Sequence, residues 1–335
     1  MRMTLFTTVF EICQKTFENL PAADAFGTFP TPEHNPDVLA QDITALLESR
    51  RLKNGMWSYG ANGHAALEPT SFAYMALRSD IEYAGGLAPE PLLRRQRPDG
   101  SWPAFDGDNE PSWTSALVIG ALVAYDNAEE ARSKAIAWLL RNRGKEADWP
   151  WRWKFRWVER AAPVDPARFG WSWTPETASW VVPTSFSVIA LQQWLSCKSD
   201  DWAKQRVETG VSMLLDRCCT DGGWNAGNKM VYGSALPPHI EPTAVALLAL
   251  QGASRTLVDR SVEWLERSAT SQVSVMALAW SVLSLFVYGR NVNSLKEALA
   301  NRLRETAETL DNASLGLAIL ALRVGEVIHP FEVLA

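Results

Sequence analysis

The sequence predicts an all-α protein in which six helical hairpins close into an (α/α)6 toroid, and three observations carry that prediction. A short apolar segment recurs along the chain: "LEPTSFAYMAL" ends at Leu77, "SWTSALVIGAL" at Leu122, "VVPTSFSVIAL" at Leu191 and "IEPTAVALLAL" at Leu250. Each carries a hydroxyl seven residues before its final Leu, at Thr70, Ser115, Thr184 and Thr243. Charged amphipathic segments alternate with these apolar ones, so each pair must stack on its neighbours to bury its apolar faces. A tight turn followed by Trp recurs as well, in "LKNGMWSYG", "QRPDGSWPAF" and "CTDGGWNAG". Asp-Gly and Asn-Gly favour such turns, and a Trp placed just after one packs back between helices.

Taken in order, residues 1–36 form an N-terminal extension and 37–335 a single toroid domain. Charged helices are expected at 37–51, 89–96, 128–143, 200–217, 256–268 and 294–310. Each is followed by a buried helix: the four apolar repeats, then 272–285 and 312–322. A helix that is small and apolar on nearly all sides is buried, so these six form the inner ring and the charged six the outer one. Pro69, Pro183 and Pro242 mark first helical positions, where a missing N–H has no partner to lose. The segment 142–183 interrupts the alternation and holds seven of the chain's 16 Trp. Within it, "WPWRWKFRW" (149–157) alternates aromatic with proline or base, a period-two pattern that predicts an extended strand.

Composition narrows the function. The net charge is -6 and no basic block offsets it, which excludes a nucleic-acid partner. Four Cys, at 13, 197, 218 and 219, form no CxxC, which predicts reduced thiols and a cytoplasmic protein. The start "MRMTLFTTVFEICQ" has no small-residue cleavage site and reads as no signal peptide. Val273–Tyr288, the longest apolar stretch, is too short to span a bilayer, which leaves peripheral contact as the only membrane association.

"LRRQRPDGSW" resembles the QW motif of triterpene cyclases, and the inner-helix openings resemble protein prenyltransferase β subunits. "GWSWTPETASWVVPTSF" and "GGWNAGNKMVYGSALPPHIEPTAVALLALQG" resemble bacterial prenyltransferase/squalene-oxidase-repeat proteins. The resemblance spans residues 37–323. It implies a terpenoid-cyclase-like or prenyl-handling enzyme, with an apolar isoprenoid as its partner in a Trp-lined central cavity and acid-initiated carbocation chemistry. The sequence departs from that pattern where chemistry matters. Class II cyclases carry Asp-x-Asp-Asp-Thr-Ala at an inner-helix mouth; "HIEPTA" stands here, with one carboxylate. The zinc-binding Asp and Cys of prenyltransferases fall on Glu241 and Thr243, and Thr supplies no thiolate, so no metal site is expected. No cofactor follows; Mg²⁺ has only the acidic loop 105–113 as a candidate, without support from a recognised motif.

The candidate catalytic residues are Glu241, His239, Asp106 and Asp108. Glu241 reads either as a helix-entrance acid that complements the helix dipole, a position Glu68 repeats, or as a half-desolvated proton donor held by His239. Asp106 and Asp108 read as a solvated turn or as a second proton-donating site. The candidate substrate-binding residues are Trp113, Trp171, Trp173, Trp180, Arg152, Arg156 and Tyr232. The aromatics among them offer faces for a cation, the bases a clamp for an anionic head. The bland alternative is an aromatic insertion packed on one end of the ring. Two other functions compete with the cyclase: a non-catalytic toroid binding an apolar ligand or a protein, and a glycan-active (α/α)6 enzyme. The last requires two carboxyls facing each other across a groove beside sugar-stacking aromatics.

Overall fold

The computed structural model describes residues 36–60, 63–78, 87–157, 165–253, 256–270, 273–327 and 329–333. The N-terminal extension read at 1–36 lies, but for Pro36, outside them. Six inner helices appear: α2 (Leu67–Arg78), α4 (Thr114–Ala121), α7 (Val181–Leu195), α9 (Ile240–Ala249), α11 (Val275–Val287) and α13 (Asn312–Leu322). The outer helices are α1 (Pro36–Ser49), the single turn α3 (Glu90–Leu93), α5 (Glu129–Arg141), α8 (Asp201–Arg217), α10 (Thr256–Ser268) and α12 (Asn293–Thr306). Each inner helix packs on the next, α2 on α4, α4 on α7, α7 on α9, α9 on α11 and α11 on α13. The last, α13, packs on α2, so the ring is closed. Gly316 makes that final seam: a Cβ there would stand 3.0 Å from the backbone of Phe72. Only glycine allows two helix backbones to approach so closely.

Small residues build the inner ring. All residues of α13 are buried, as are the ten from Leu67 to Leu77 of α2 apart from Glu68. The prolines stand two residues in from where the sequence predicts them: Pro69 and Pro242 are third in their helices, as is Pro183. The reason they are tolerated is unchanged, because the first four N–H groups of a helix lack intrahelical partners.

The recurring Trp and the recurring hydroxyl form one device, used four times. The N–H of Trp57 donates to Thr70 Oγ1 (3.0 Å), of Trp102 to Ser115 Oγ (2.8 Å), of Trp171 to Thr184 Oγ1 (3.0 Å) and of Trp224 to Thr243 Oγ1 (2.8 Å). Each indole N–H then crosses to the outer helix, donating to the carbonyls of Leu47, Leu92, Leu139 and Leu214. Those carbonyls sit in last turns, where four-residue helical partners run out, although those of Leu47 and Leu92 also accept from the Arg50 and Arg95 N–H groups (3.2 and 3.1 Å). All four indoles are fully buried. Apolar burial and two hydrogen bonds therefore tie each outer helix to its inner partner. Gly100 supports one such turn: its φ is +95°, and a Cβ would lie 2.4 Å from the Lys134 carbonyl oxygen.

The strand expected at 149–157 is a helix, α6 (Trp149–Trp157). Pro150 is acceptable in a first helical turn, and the Arg152 N–H already reaches the Asp148 carbonyl at 2.8 Å. Aromatic period-two alternation predicts a strand only where both faces find sheet partners, and none is present here among the described residues. The one ladder described is the hairpin of β1 (Met230–Val231) and β2 (Ser234–Ala235).

The rear of the ring is closed by the C-terminal tail. Phe331 is 2 % exposed and inserts its ring among Phe72, Phe186 and Trp280, with centroids 6.4, 6.0 and 5.2 Å away. Those three residues come from alternate inner helices, so Phe331 fills the axis. Gln251 Nε2 donates to the Phe331 carbonyl (2.7 Å), Gln193 Nε2 to the Pro330 carbonyl (2.8 Å), and Gln251 Oε1 accepts from the Val333 N–H (3.1 Å).

Candidate functional site

The open end of the ring is the end at which the inner helices begin. In α2, α7 and α9 the second helical residue lies two before the buried hydroxyl, and Trp113 holds that place ahead of Ser115. The equivalent residues of all six inner helices are Glu68, Trp113, Val182, Glu241, Met276 and Ala313. The first five are half-buried, whereas the middle of each of these helices is buried, so these positions lie towards the opening. In ring order, Glu68 on α2 and Glu241 on α9 hold the first and fourth places, which are opposite one another. Two Glu-Pro-Thr repeats thus stand on opposite inner helices, near enough that the charge of Glu241 acts on Glu68.

Both carboxyls are perturbed. Burial raises the Glu68 pKa above the usual carboxylate range; the Tyr59 hydroxyl, which donates to Oε2, opposes this, and the negative charges of Asp311 and Glu241 add to it. Burial also raises Glu241, opposed by the Ser274 hydroxyl (3.5 Å) and by the nearby charge of His239. Glu68 therefore sits in the more negative field. Asp311 is committed elsewhere, capping α13 by accepting from the Ser314 N–H at 2.9 Å.

Loops around the mouth are stitched to one another. The Leu67 N–H donates to the Ala104 carbonyl (2.9 Å), Trp113 to Trp173 (3.0 Å), Val181 to Ala226 (3.0 Å) and Asn312 to Tyr59 (2.8 Å). The belt presents exposed aromatic rings: Tyr59, Phe105 and Trp173 are 48 %, 48 % and 36 % exposed. Trp173 meets Trp113 edge-on at 5.0 Å, and Trp113 rests on Phe186 of the axial floor at 5.7 Å. Beside Glu241 opens a cavity of about 610 Å³ between the starts of α9 and α11 and the end of α10, walled by His239, Pro242, Trp264 and Ser268.

Of the residues singled out in the sequence, Glu241, His239, Trp113 and Trp173 stand at this mouth. Trp171 is 1 % exposed and is the fourth member of the buried Trp–hydroxyl device. Trp180 precedes α7 with its ring against Gly227. Asp106 is held by Arg95, Nη2 to Oδ2 2.8 Å, and that pairing pushes its carboxyl below its ordinary value. Asp108 accepts from the Ala104 and Glu110 N–H groups of its own turn (3.3 and 3.0 Å). Arg152 is exposed on α6; the side chain of Arg156 lies outside the described residues. Tyr232 is 84 % exposed at the tip of the β1–β2 hairpin. Sequence reasoning took Glu68 as support for a structural role of Glu241; counting helices around the ring makes it the opposing carboxyl. Among the described residues no group of three or more His, Cys, Asp or Glu could hold a metal. None of the described helices is long and apolar enough to cross a membrane.

No family model matches the chain, and no curated protein matches it in sequence. Solved structures share its fold. An α-amylase from Clostridium perfringens superposes with a TM-score of 0.57 at 14 % identity, covering 88 % of this chain and 99 % of its own. An inactive α-1,6-mannanase of Salegentibacter sp. HEL1_6 in complex with α-1,6-mannotriose gives 0.56 at 9 % identity, covering 86 % and 98 %. A protein from Actinoplanes gives 0.56 at 14 %, covering 86 % and 99 %. These likenesses establish the helical toroid and correct the resemblance drawn from sequence. The neighbours include glycosidases, not terpenoid cyclases or prenyltransferases, and the ligand seen in one of them is an oligosaccharide. The Trp-bearing turns serve hairpin packing. Among the described residues, Phe331 and its three aromatic neighbours pack together where the Trp-walled central pit was expected. The cyclase reading is thereby corrected, and the non-catalytic alternative, a toroid binding an apolar ligand or a protein, gains no support.

Proposed function

We propose that this toroid cleaves a glycosidic bond at the mouth of its inner helices. The observation that carries the reading is the pair Glu68 and Glu241 on opposite inner helices, beside exposed aromatic faces. Packed helices lie about 8–10 Å apart, so opposite axes of a six-helix ring are about 16–20 Å apart. Glutamates reaching about 5 Å inward of each axis leave about 6–10 Å between carboxyls, which overlaps the roughly 6.5–9.5 Å that inverting glycosidases use to admit a water. Glu68, whose pKa is raised by burial and by the negative charges of Asp311 and Glu241, is assigned as the general acid on the glycosidic oxygen. Glu241, next to His239 and Ser274, is the carboxylate that removes a proton from the attacking water. Trp113, Trp173 and Tyr59 supply apolar faces with polar edges, suited to the C–H face of a sugar ring. Trp264 and His239 wall the cavity beside the base, where the second sugar is accommodated. Cys197, Cys218 and Cys219 are free thiols, which supports a cytoplasmic site of action.

The test is release of reducing sugar from α- and β-linked gluco- and manno-oligosaccharides. Glu241→Gln and Glu68→Gln should each lower kcat by about 100-fold or more while leaving binding intact. Wild-type protein that cleaves none of these substrates, or variants as active as wild type, would refute the assignment.

A further inference from the structure

The β1–β2 hairpin holds a residue that the fold does not explain. Met230 faces Ala235 and Val231 faces Ser234, leaving Tyr232 and Gly233 as a two-residue loop. Their φ angles are +49° and +80°. Positive φ at both positions is the turn that favours Asn-Gly, and a bulky side chain at the first of them is strained. Tyr232 gains nothing inside the chain in return: its ring is 84 % exposed, and it makes no side-chain hydrogen bond or ring contact among the described residues. The other non-glycine residue with positive φ, Glu176, does have an internal partner, Lys145 at 3.5 Å.

The base of the hairpin is fixed. Asn225 is buried; its Oδ1 accepts from the Gly227 and Asn228 N–H groups at 3.1 Å, and its Nδ2 donates to the carbonyls of Asn228 (2.9 Å) and Pro237 (3.3 Å). Pro237 and Pro238 then lead directly to His239, whose N–H is bonded to the Trp224 carbonyl at 2.8 Å. Pro238 and His239 wall the cavity beside Glu241. The chain thus runs from the exposed ring of Tyr232 through Pro237 and Pro238 to His239 at the edge of the site.

We propose that Tyr232 is an outlying stacking platform for a neutral oligosaccharide, gripping sugar units beyond the bond held at Glu68 and Glu241. The inference rests on the glycan-cleaving reading of that site. A tyrosine offers a flat face to a pyranose ring and a hydroxyl to its rim, and a strained backbone at an exposed tip is retained for an external contact.

The experiment measures affinity by calorimetry for a manno- and a gluco-oligosaccharide series, from disaccharide to hexasaccharide, on the full chain. Tyr232→Asn suits the turn, so it should melt at a higher temperature than wild type. It should bind the longest sugars about three- to tenfold more weakly, the loss of one stacking contact, and the disaccharides unchanged. Tyr232→Trp should retain long-chain affinity. If wild type binds the series and Tyr232→Asn matches it at every length, the platform is refuted while the site assignment stands. If wild type binds no saccharide, both are refuted together.

Discussion

His329 makes the stability of this protein depend on pH in a way that can be isolated. The ring is 4 % exposed, and burial pushes its pKa down to about 4. Its tautomer follows from its partners. The Phe331 N–H donates to Nδ1 (3.2 Å), so Nδ1 is the bare acceptor and Nε2–H donates to the Leu283 carbonyl (3.1 Å). Protonation at Nδ1 would break the first of these bonds and place a charge in the aromatic floor. Because the folded value lies below the unfolded value of about 6.5, the unfolded chain takes up the proton first as pH falls. The stability of the neutral ring is fully present above about pH 6.5 and is lost progressively towards pH 4. A depression of about 2.5 units corresponds to about 3 kcal/mol, a large part of the stability of a typical domain. Urea unfolding of wild type and His329→Gln between pH 7.5 and 4.5 measures it. Gln keeps a donor for the Leu283 carbonyl but cannot titrate. Other groups cancel in the difference, so the gap between the two unfolding free energies should shrink or reverse by about 2–3 kcal/mol as pH falls. A gap that stays constant across that range would refute the buried neutral ring.

Phe331→Ala empties the axial floor and should cost about 3–5 kcal/mol by denaturant unfolding, with the ring of helices retained by circular dichroism. Thr243→Val removes the acceptor for the buried Trp224 N–H, while the Trp224 carbonyl loses the Thr243 hydroxyl (3.1 Å) but keeps the His239 N–H; about 1–3 kcal/mol of lost stability is expected in the same assay. Glu68 has the opposite pH sign to His329. A carboxyl raised by burial contributes stability below the usual carboxylate pKa and loses it as pH rises through its folded value. Glu68→Gln should therefore unfold at a higher urea concentration than wild type at pH 7–8, while abolishing glycan cleavage.

The sequence by itself determined the architecture. The repeat of apolar segments fixed six inner helices, because a segment apolar on every side has nowhere to go but inside, and the Asp-Gly-Trp turns marked where hairpins reverse. The recurring hydroxyls were visible too, but not their purpose: that Thr70, Ser115, Thr184 and Thr243 each hold a Trp backbone is a contact across 13 to 19 residues. Trp171 was hidden among the insertion's aromatics for the same reason; its turn lacks the Asp-Gly signal, and only its bond to Thr184 identifies it. Tertiary structure alone brings together the two carboxyls of the proposed site. Residues 68 and 241 occupy the same place in two repeats far apart along the chain, and only closure of the ring sets them opposite one another. It also decided what the axis contains, since Phe331 lies in a tail with no periodicity to read and reaches Phe72 only through the folded core. Local patterns specify which faces must be buried; which groups then meet, and in what field, depends on how the buried faces close on each other.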